Sequence, residues 1–316
     1  MAPRSFGIVC RAQLKAVLTY RRHISCADLP RSAPQIPSGA NSCRDPLMCN
    51  VKSEKGALSS AEHKGRIVVV TAGGDNANIM INALAARFTN VAILQEEPES
   101  KALFVMRRAR KLGWVMALGQ LATMFVSRIG KRFTRRRAAE ILRENDASAA
   151  PNRTVPVHRV DSINDADGHA MLQLLKPAVL FLISCRMLKP ETLAAVNCPI
   201  LNFHAGINPQ YRGLMGGYWA LANNDPENFG ATVHLVDEGV DTGGILYQSR
   251  QTPRRADTIH TYPLLQTAAS TDIAIRAVED ALAGKLRPIA IAAPSRQWYH
   301  PPVWTWFWNG LRHGRW

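Results

Sequence analysis

The run Arg66-Ile67-Val68-Val69-Val70, leading into Gly73 and Gly74, leaves few folds open to this chain. Consecutive β-branched residues with no polar alternation read as a strand buried on both faces, as in a parallel sheet. From Asn76 to Phe88 the apolar residues Ile79, Leu84 and Phe88 recur at helical spacing, and Val91 to Leu94 gives a second strand. Strand, helix, strand requires a right-handed crossover between parallel strands. The expected fold class is therefore α/β: three layers around a mostly parallel, Rossmann-like sheet.

Further strands are predicted at Val155 to Val160, Ala178 to Ser184 and Pro199 to Phe203, the second preceded by a helix ending near Lys176 and Pro177. Asp257 as an N-cap and Gly284 as a stop frame one long helix carrying Leu264, Ala268, Ile275, Val278 and Leu282. Residues 96–146 read as a helical, basic insertion. Leu118, Leu121, Phe125 and Ile129 form one apolar stripe there, and Arg107, Arg108, Arg110, Lys111, Arg128, Lys131, Arg132, Arg135, Arg136 and Arg137 crowd the same segment. That cluster reads as a solvated face or as a surface for RNA or another anion.

The domain limits that follow are 65–293 for the catalytic unit, 1–64 for a disordered extension and 294–316 for an aromatic, basic tail. Pro30, Pro34, Pro37, Ser38 and Gly39 support the extension, because such composition buries too little apolar surface to offset ordering entropy. The first 27 residues are Arg-rich and nearly free of acid, as in a transit peptide, but Arg11 and Lys15 interrupt any secretory core. Trp298, Tyr299, Trp304, Trp306, Phe307, Trp308 and Trp316 in the tail call for cover, either by the domain or by a second subunit in a homo-oligomer. A membrane interface or stacked RNA bases would serve the same need.

Lys and Arg exceed Asp and Glu by 39 to 24, a formal charge of +15, which favours anionic partners. None of the six cysteines (Cys10, Cys26, Cys43, Cys49, Cys185 and Cys198) forms a C-x-x-C pair, so no metal site is expected and a reducing, cytoplasmic setting fits. No apolar run approaches the roughly 20 residues of a membrane span.

Chemistry concentrates between residues 201 and 244. Alternation along the strand places Asn202 and His204 on one face, at the carboxyl end where open α/β sheets bind ligands. Downstream, Asp237, Glu238 and Asp241 lie in a loop with Gly239, Gly243 and Gly244. A carboxylate beside a histidine favours imidazolium. The loop Gly73-Gly74-Asp75-Asn76, between a strand and a helix N-terminus, offers amides to a phosphate, although Asp75 opposes one.

In order along the chain stand N-x-H (Asn202 to His204), P-x-Y-R-G (Pro209 to Gly213), W-A-L-x-N-x-D (Trp219 to Asp225), G-A-T-V-H (Gly230 to His234) and V-D-T-G (Val240 to Gly243). With them the sequence resembles the folate-dependent formyltransferases over about residues 65–293. The resemblance implies the formyltransferase fold, 10-formyltetrahydrofolate as formyl donor, and Asn202, His204 and Asp241 in the catalytic places. It implies a pteridine site formed by Ile183, Arg186, Met187 and Leu188, with Val236 and Asp237 opposite. Gly73, Gly74, Asn76, Gly206, Tyr211, Arg212 and Gly213 are then the expected acceptor-binding residues.

On this reading an acceptor amine attacks the formyl carbon, and Asn202 with protonated His204 stabilises the oxyanion, one such donor being worth about 10²–10³ in rate. Asp241 keeps His204 charged and helps relay a proton, with no metal required. The expected acceptor is a small phosphorylated amine of the glycinamide ribonucleotide type, which would belong to purine biosynthesis. An amino-sugar nucleotide is the next candidate. Methionyl-tRNA is disfavoured because no long segment follows residue 293. A different class, a non-catalytic RNA- or anion-binding protein on the same fold, is opposed by the intact Asn202, His204 and Asp241.

Overall fold

A computed structural model describes residues 65–314 and Trp316; the readings made for residues 1–64 lie outside them. Strands β1 (Ile67–Thr71), β2 (Val91–Glu96), β3 (Val157–Val160), β4 (Val179–Leu182) and β5 (Ile200–His204) run parallel. After β5 the chain makes the short strand β6 (Arg212–Gly213) and then two antiparallel strands, β7 (Gly230–Leu235) and β8 (Ile245–Arg250). The sheet order is β3-β2-β1-β4-β5-β7-β8. It is the mostly parallel sheet that the sequence predicts.

Strand β1 explains the three layers. Ile67 and Val69 enter one core and Val68 and Val70 the other, all four fully buried. Burying one such side chain is worth about 1.5–3 kcal/mol, so a polar residue anywhere in this run is costly. On the first face lie α1 (Asp75–Arg87), through Ala77, Met80, Ile81 and Leu84, and a helix at Thr271–Leu282, through Ile273, Ala277 and Val278. The second face is covered by α5 (Ala166–Leu175) and α6 (Pro190–Ala195), through Leu172, Leu175 and Leu193.

The basic segment folds as α2 (Lys101–Leu112), α3 (Trp114–Gly130) and α4 (Arg135–Glu144). Its apolar stripe turns outward: Leu118, Phe125 and Ile129 are exposed, while Ala117, Gly119, Gln120 and Thr123 form the buried side of α3. Arg137 departs from the expected solvated face. It is buried and paired with Asp257, Glu144 and Glu140.

The single helix expected from Asp257 to Gly284 is two, α8 (Tyr262–Ala268) and α9 (Thr271–Leu282), with α7 (Gly216–Ala222) before them. Asp257 is no N-cap: Thr261 stands at that position, and the Asp257 carboxylate holds Arg137 instead. The tail returns to the domain. Strand β9 (Gln297–Trp298) pairs with β6, Trp298 stacks on Tyr211 and Trp219, and α10 (Val303–His313) follows.

Candidate active site

Asn202 and His204 point the same way from the end of β5, and the register sets His234 of β7 directly opposite Asn202. The loop joining β7 to β8 brings Asp241 onto this face. Its carboxylate gathers the cluster: Oδ1 accepts from Asn202 Nδ2 at 3.1 Å and lies 3.3 Å from His234 Nε2. Oδ2 accepts from the Gly213 amide at 2.9 Å and lies 3.5 Å from His204 Nδ1.

Asp241 sits at φ 52°, a left-handed conformation costing roughly 1–2 kcal/mol for a residue with a Cβ. The loop is tied down on both sides of it. Arg212 donates from Nη1 to Val240 O at 2.6 Å and from Nε to Ser295 Oγ at 2.8 Å. Asp237 Oδ1 accepts from the Gly239 amide and from Thr242 Oγ1.

Burial alone would disfavour the Asp241 carboxylate, yet the charge of His204, the hydrogen bond and charge of His234 and the Gly213 amide outweigh it. The group is held well below the ordinary carboxylate range. His204 donates from Nε2 to Tyr211 O at 2.7 Å, so a proton on Nδ1 as well is what lets its other side face Asp241 favourably. Gly206 permits this placement, because a Cβ there would stand 2.3 Å from His204 Nε2 and 2.5 Å from Tyr211 O.

His234 donates from Nδ1 to Leu235 O at 2.6 Å. Its Nε2 then has two states: neutral, it accepts from Asn202 Nδ2 at 3.0 Å; protonated, it donates to Asp241 Oδ1. This residue was missed in the sequence except as part of a motif, since only the antiparallel register brings it to Asn202.

The remaining expected site residues fall into two groups. Val236 is half-buried, Asp237 is exposed and Met187 is 56% exposed, while Ile183 and Leu188 are core residues. Arg186 is engaged elsewhere: its amide donates to Glu96 Oε1 at 2.6 Å, its Nε lies 2.9 Å from Glu96 Oε2, and its Nη2 donates to Glu97 O and Asp161 O. Tyr211 sends its side chain away from Asp241, donating from its hydroxyl to Asp225 Oδ2 at 2.7 Å, and contributes its carbonyl to His204. Gly73 and Gly74 both have positive φ and lead into α1, whose first turn contains Asn76 and has no side-chain cap. The loop lies at the end of β1, where the sheet order reverses between β1 and β4.

For a pterin the donor set fits in part. Met187 and Val236 leave apolar surface available, whereas Arg186 and the Ser184 carbonyl, which accepts from Ala72 N at 3.0 Å, are already engaged.

A family model described as formyl transferase matches residues 65–263. The methionyl-tRNA formyltransferase of Pelotomaculum thermopropionicum is 34% identical over 114 residues, 36% of this chain and 36% of that protein. That of Anaeromyxobacter sp. (strain K) is 30% identical over 152 residues, 48% of each. The chain thus spans about a third to a half of the length of these curated relatives. Among solved structures, glycinamide ribonucleotide transformylase 1 from Symbiobacterium toebii superposes with a TM-score of 0.48 at 20% identity, covering 78% of this chain and 98% of that one.

Proposed function

Because the chain belongs to the formyl transferase family, we propose that it moves a formyl group from 10-formyltetrahydrofolate to a primary amine, with Asn202, His204 and Asp241 as the catalytic group. The observation that carries this reading is the convergence of both Asp241 oxygens on an amide, two imidazoles and a backbone N–H at the carboxyl end of β5. The bound folate supplies the activated formyl carbon, with Met187 and Val236 as the residues that would flank its ring.

The chain's own groups divide the work. Doubly protonated His204 and the Asn202 amide are the donors for charge that develops on the formyl oxygen, and both must loosen a present partner to reach it. Asp241, held ionised, is too weak a base to take the amine proton. It orients instead, and a histidine ring moves the proton. His234 Nε2 suits that task because its two states differ by one proton and already have partners in place.

As acceptor we favour a small phosphorylated amine, its phosphate beside Gly74 at the N-terminus of α1, the Gly73 amide being already donated to Thr71 Oγ1 at 2.9 Å. Exposed Asp75 opposes this, and its ion pair with Lys131 at 3.8 Å offsets only part of the repulsion. Methionyl-tRNA is the second reading, favoured by the names of the curated relatives. Tetrahydrofolate release from 10-formyltetrahydrofolate is the test, with glycinamide ribonucleotide, an amino-sugar nucleotide and methionyl-tRNA offered in turn. Turnover with one of them, lost in His204→Ala and Asp241→Asn, is expected. Turnover unchanged in both variants rejects the mechanism.

A further inference from the structure

We propose that the outward faces of α3 and α10, with the cations beside them, form a docking surface for an anionic lipid bilayer. Trp114, Val115, Leu118, Phe125 and Ile129 lie along the exposed side of α3, Phe125 at 68% exposure, and Phe133 in the following turn reaches 85%. Helix α10 packs against α3 with Trp304 over Gly119, where a Cβ would come within 2.4 Å of the indole. It adds Phe307, Trp308 and Leu311, all exposed. Folding does not tuck this stripe away: the side of α3 that faces the protein is built of Ala117, Gly119, Gln120 and Thr123, too small or polar to exchange with it.

The charge around the stripe names the partner. From Ser100 to Ala139 the sequence holds eleven Lys and Arg and no Asp or Glu, and residues 297–316 also lack acid. Arg107, Arg110 and Lys111 line a depression on α2 with the apolar Leu103 and Met106 and with Glu99, which pairs with Arg107 at 2.6 Å; Arg110 and Lys111 are the cations left for a lipid phosphate above acyl chain. Arg128, Lys131 and Arg132 stand exposed at the other end of α3. An apolar helix face with tryptophans and flanking cations is the pattern of a helix lying in the headgroup region of an anionic leaflet. No helix of the described residues is long and apolar enough to cross a membrane, so the contact is interfacial.

Two other occupants fit less well. A second copy of this chain would bring two cationic faces together, and the acid at their edge, Glu99, is already paired with Arg107 at 2.6 Å. Single-stranded RNA would match the charge, but the aliphatic Val115, Leu118, Ile129 and Leu311 offer it neither stacking nor hydrogen bonds.

The test is flotation of the full chain with extruded vesicles of phosphatidylcholine, alone or with roughly a third phosphatidylserine, the anionic lipid whose leaflet attracts polybasic segments. Binding about tenfold stronger to the anionic vesicles is expected, weakening as salt screens the cations, with a blue shift of tryptophan emission. The variant Phe125→Asp/Trp308→Asp, changed at two exposed positions, should lose that binding about tenfold while keeping its circular dichroism spectrum and its formyl-transfer rate. Absence of binding to anionic vesicles, or equal binding by the variant, overturns the proposal. So does retention of single-stranded RNA without vesicle binding, or a dimer that the variant abolishes while vesicles remain unbound.

Discussion

Two carboxylates in this molecule, the largely enclosed Asp241 and the fully buried Asp257, each collect cations and backbone amides, and their difference separates a reactive cluster from a structural one. Asp257 is fastened by Arg137, from Nε at 2.8 Å and Nη2 at 3.2 Å, and also accepts from Thr261 Oγ1 and the Arg254 amide. The hydrogen bonds that Arg137 donates to Asp257, opposed by desolvation, raise the Arg137 pKa above its ordinary value. A guanidinium never yields its proton near neutrality, so this pair ties α4 to the segment before α8 and can do little else. Asp241 faces two imidazoles, which do exchange protons in that range, on a loop held in a left-handed turn at the strand ends. Bond count alone does not tell the two apart. The chemistry of its cations does.

The comparison breaks most readily at turnover. Asp241→Asn, which removes the anion that orients both rings, is expected to lower the rate of tetrahydrofolate release about 10³-fold. Asp257→Asn should leave the rate per folded molecule within about twofold, since nothing in that cluster approaches the reacting atoms. Equal losses in both variants would show that the Asp241 cluster, too, is only structural.

Stability should show the reverse order. Arg137→Met leaves Asp257 buried without its cation, a change that costs about 3–5 kcal/mol in comparable pairs. Urea unfolding of that variant and of Arg137→Met/Asp257→Leu checks this: the double variant should recover most of the loss, because an apolar pair carries no stranded charge. A double variant no better than the single one would mean that the geometry, rather than the unpaired charge, carries the penalty.

His234 sharpens the contrast within the reactive cluster. In His234→Gln the side chain can still hydrogen-bond to Asn202 and Asp241 but cannot take up a proton. Turnover is expected to fall about 10²-fold, because no ring nitrogen remains there to take up the amine proton. A loss of less than about twofold would show that the hydrogen bonds glutamine keeps are all that His234 contributes, and would assign it to positioning alone.

What the sequence disclosed follows how local each feature is. Asn202 and His204 could be paired from strand alternation, and Asp241 stood out in a glycine-rich loop after an apolar strand. The position of His234 depends on β7 reversing direction against β5, which the parallel pattern of the earlier strands does not foretell. Arg137 looked like one more cation in a charged run because its partner lies 120 residues away. Asp257 had the local signature of an N-cap, and a tertiary ion pair overrode it. The α3 stripe was visible as a stripe, but a helical period carries no sign of whether it faces core or solvent.

The smallest expected effect concerns acid. Because the folded-state pKa of Asp241 lies below its unfolded value of about 3.9, its ionisation contributes stability that is fully present above that value. The contribution is lost as pH falls toward the folded-state pKa, since the unfolded chain takes up the proton first. At neutral pH, Asp241→Asn should therefore be less stable than the native chain by about 1–3 kcal/mol, the range for a buried hydrogen-bonded charge. The gap, measured by urea unfolding, should stay level from pH 7 to about pH 5 and begin to close near pH 4. Closure that begins near pH 6 would transfer the effect to the histidines, and a gap that persists to pH 2 would mean that packing of the loop, not the charge on Asp241, is what the asparagine disturbs.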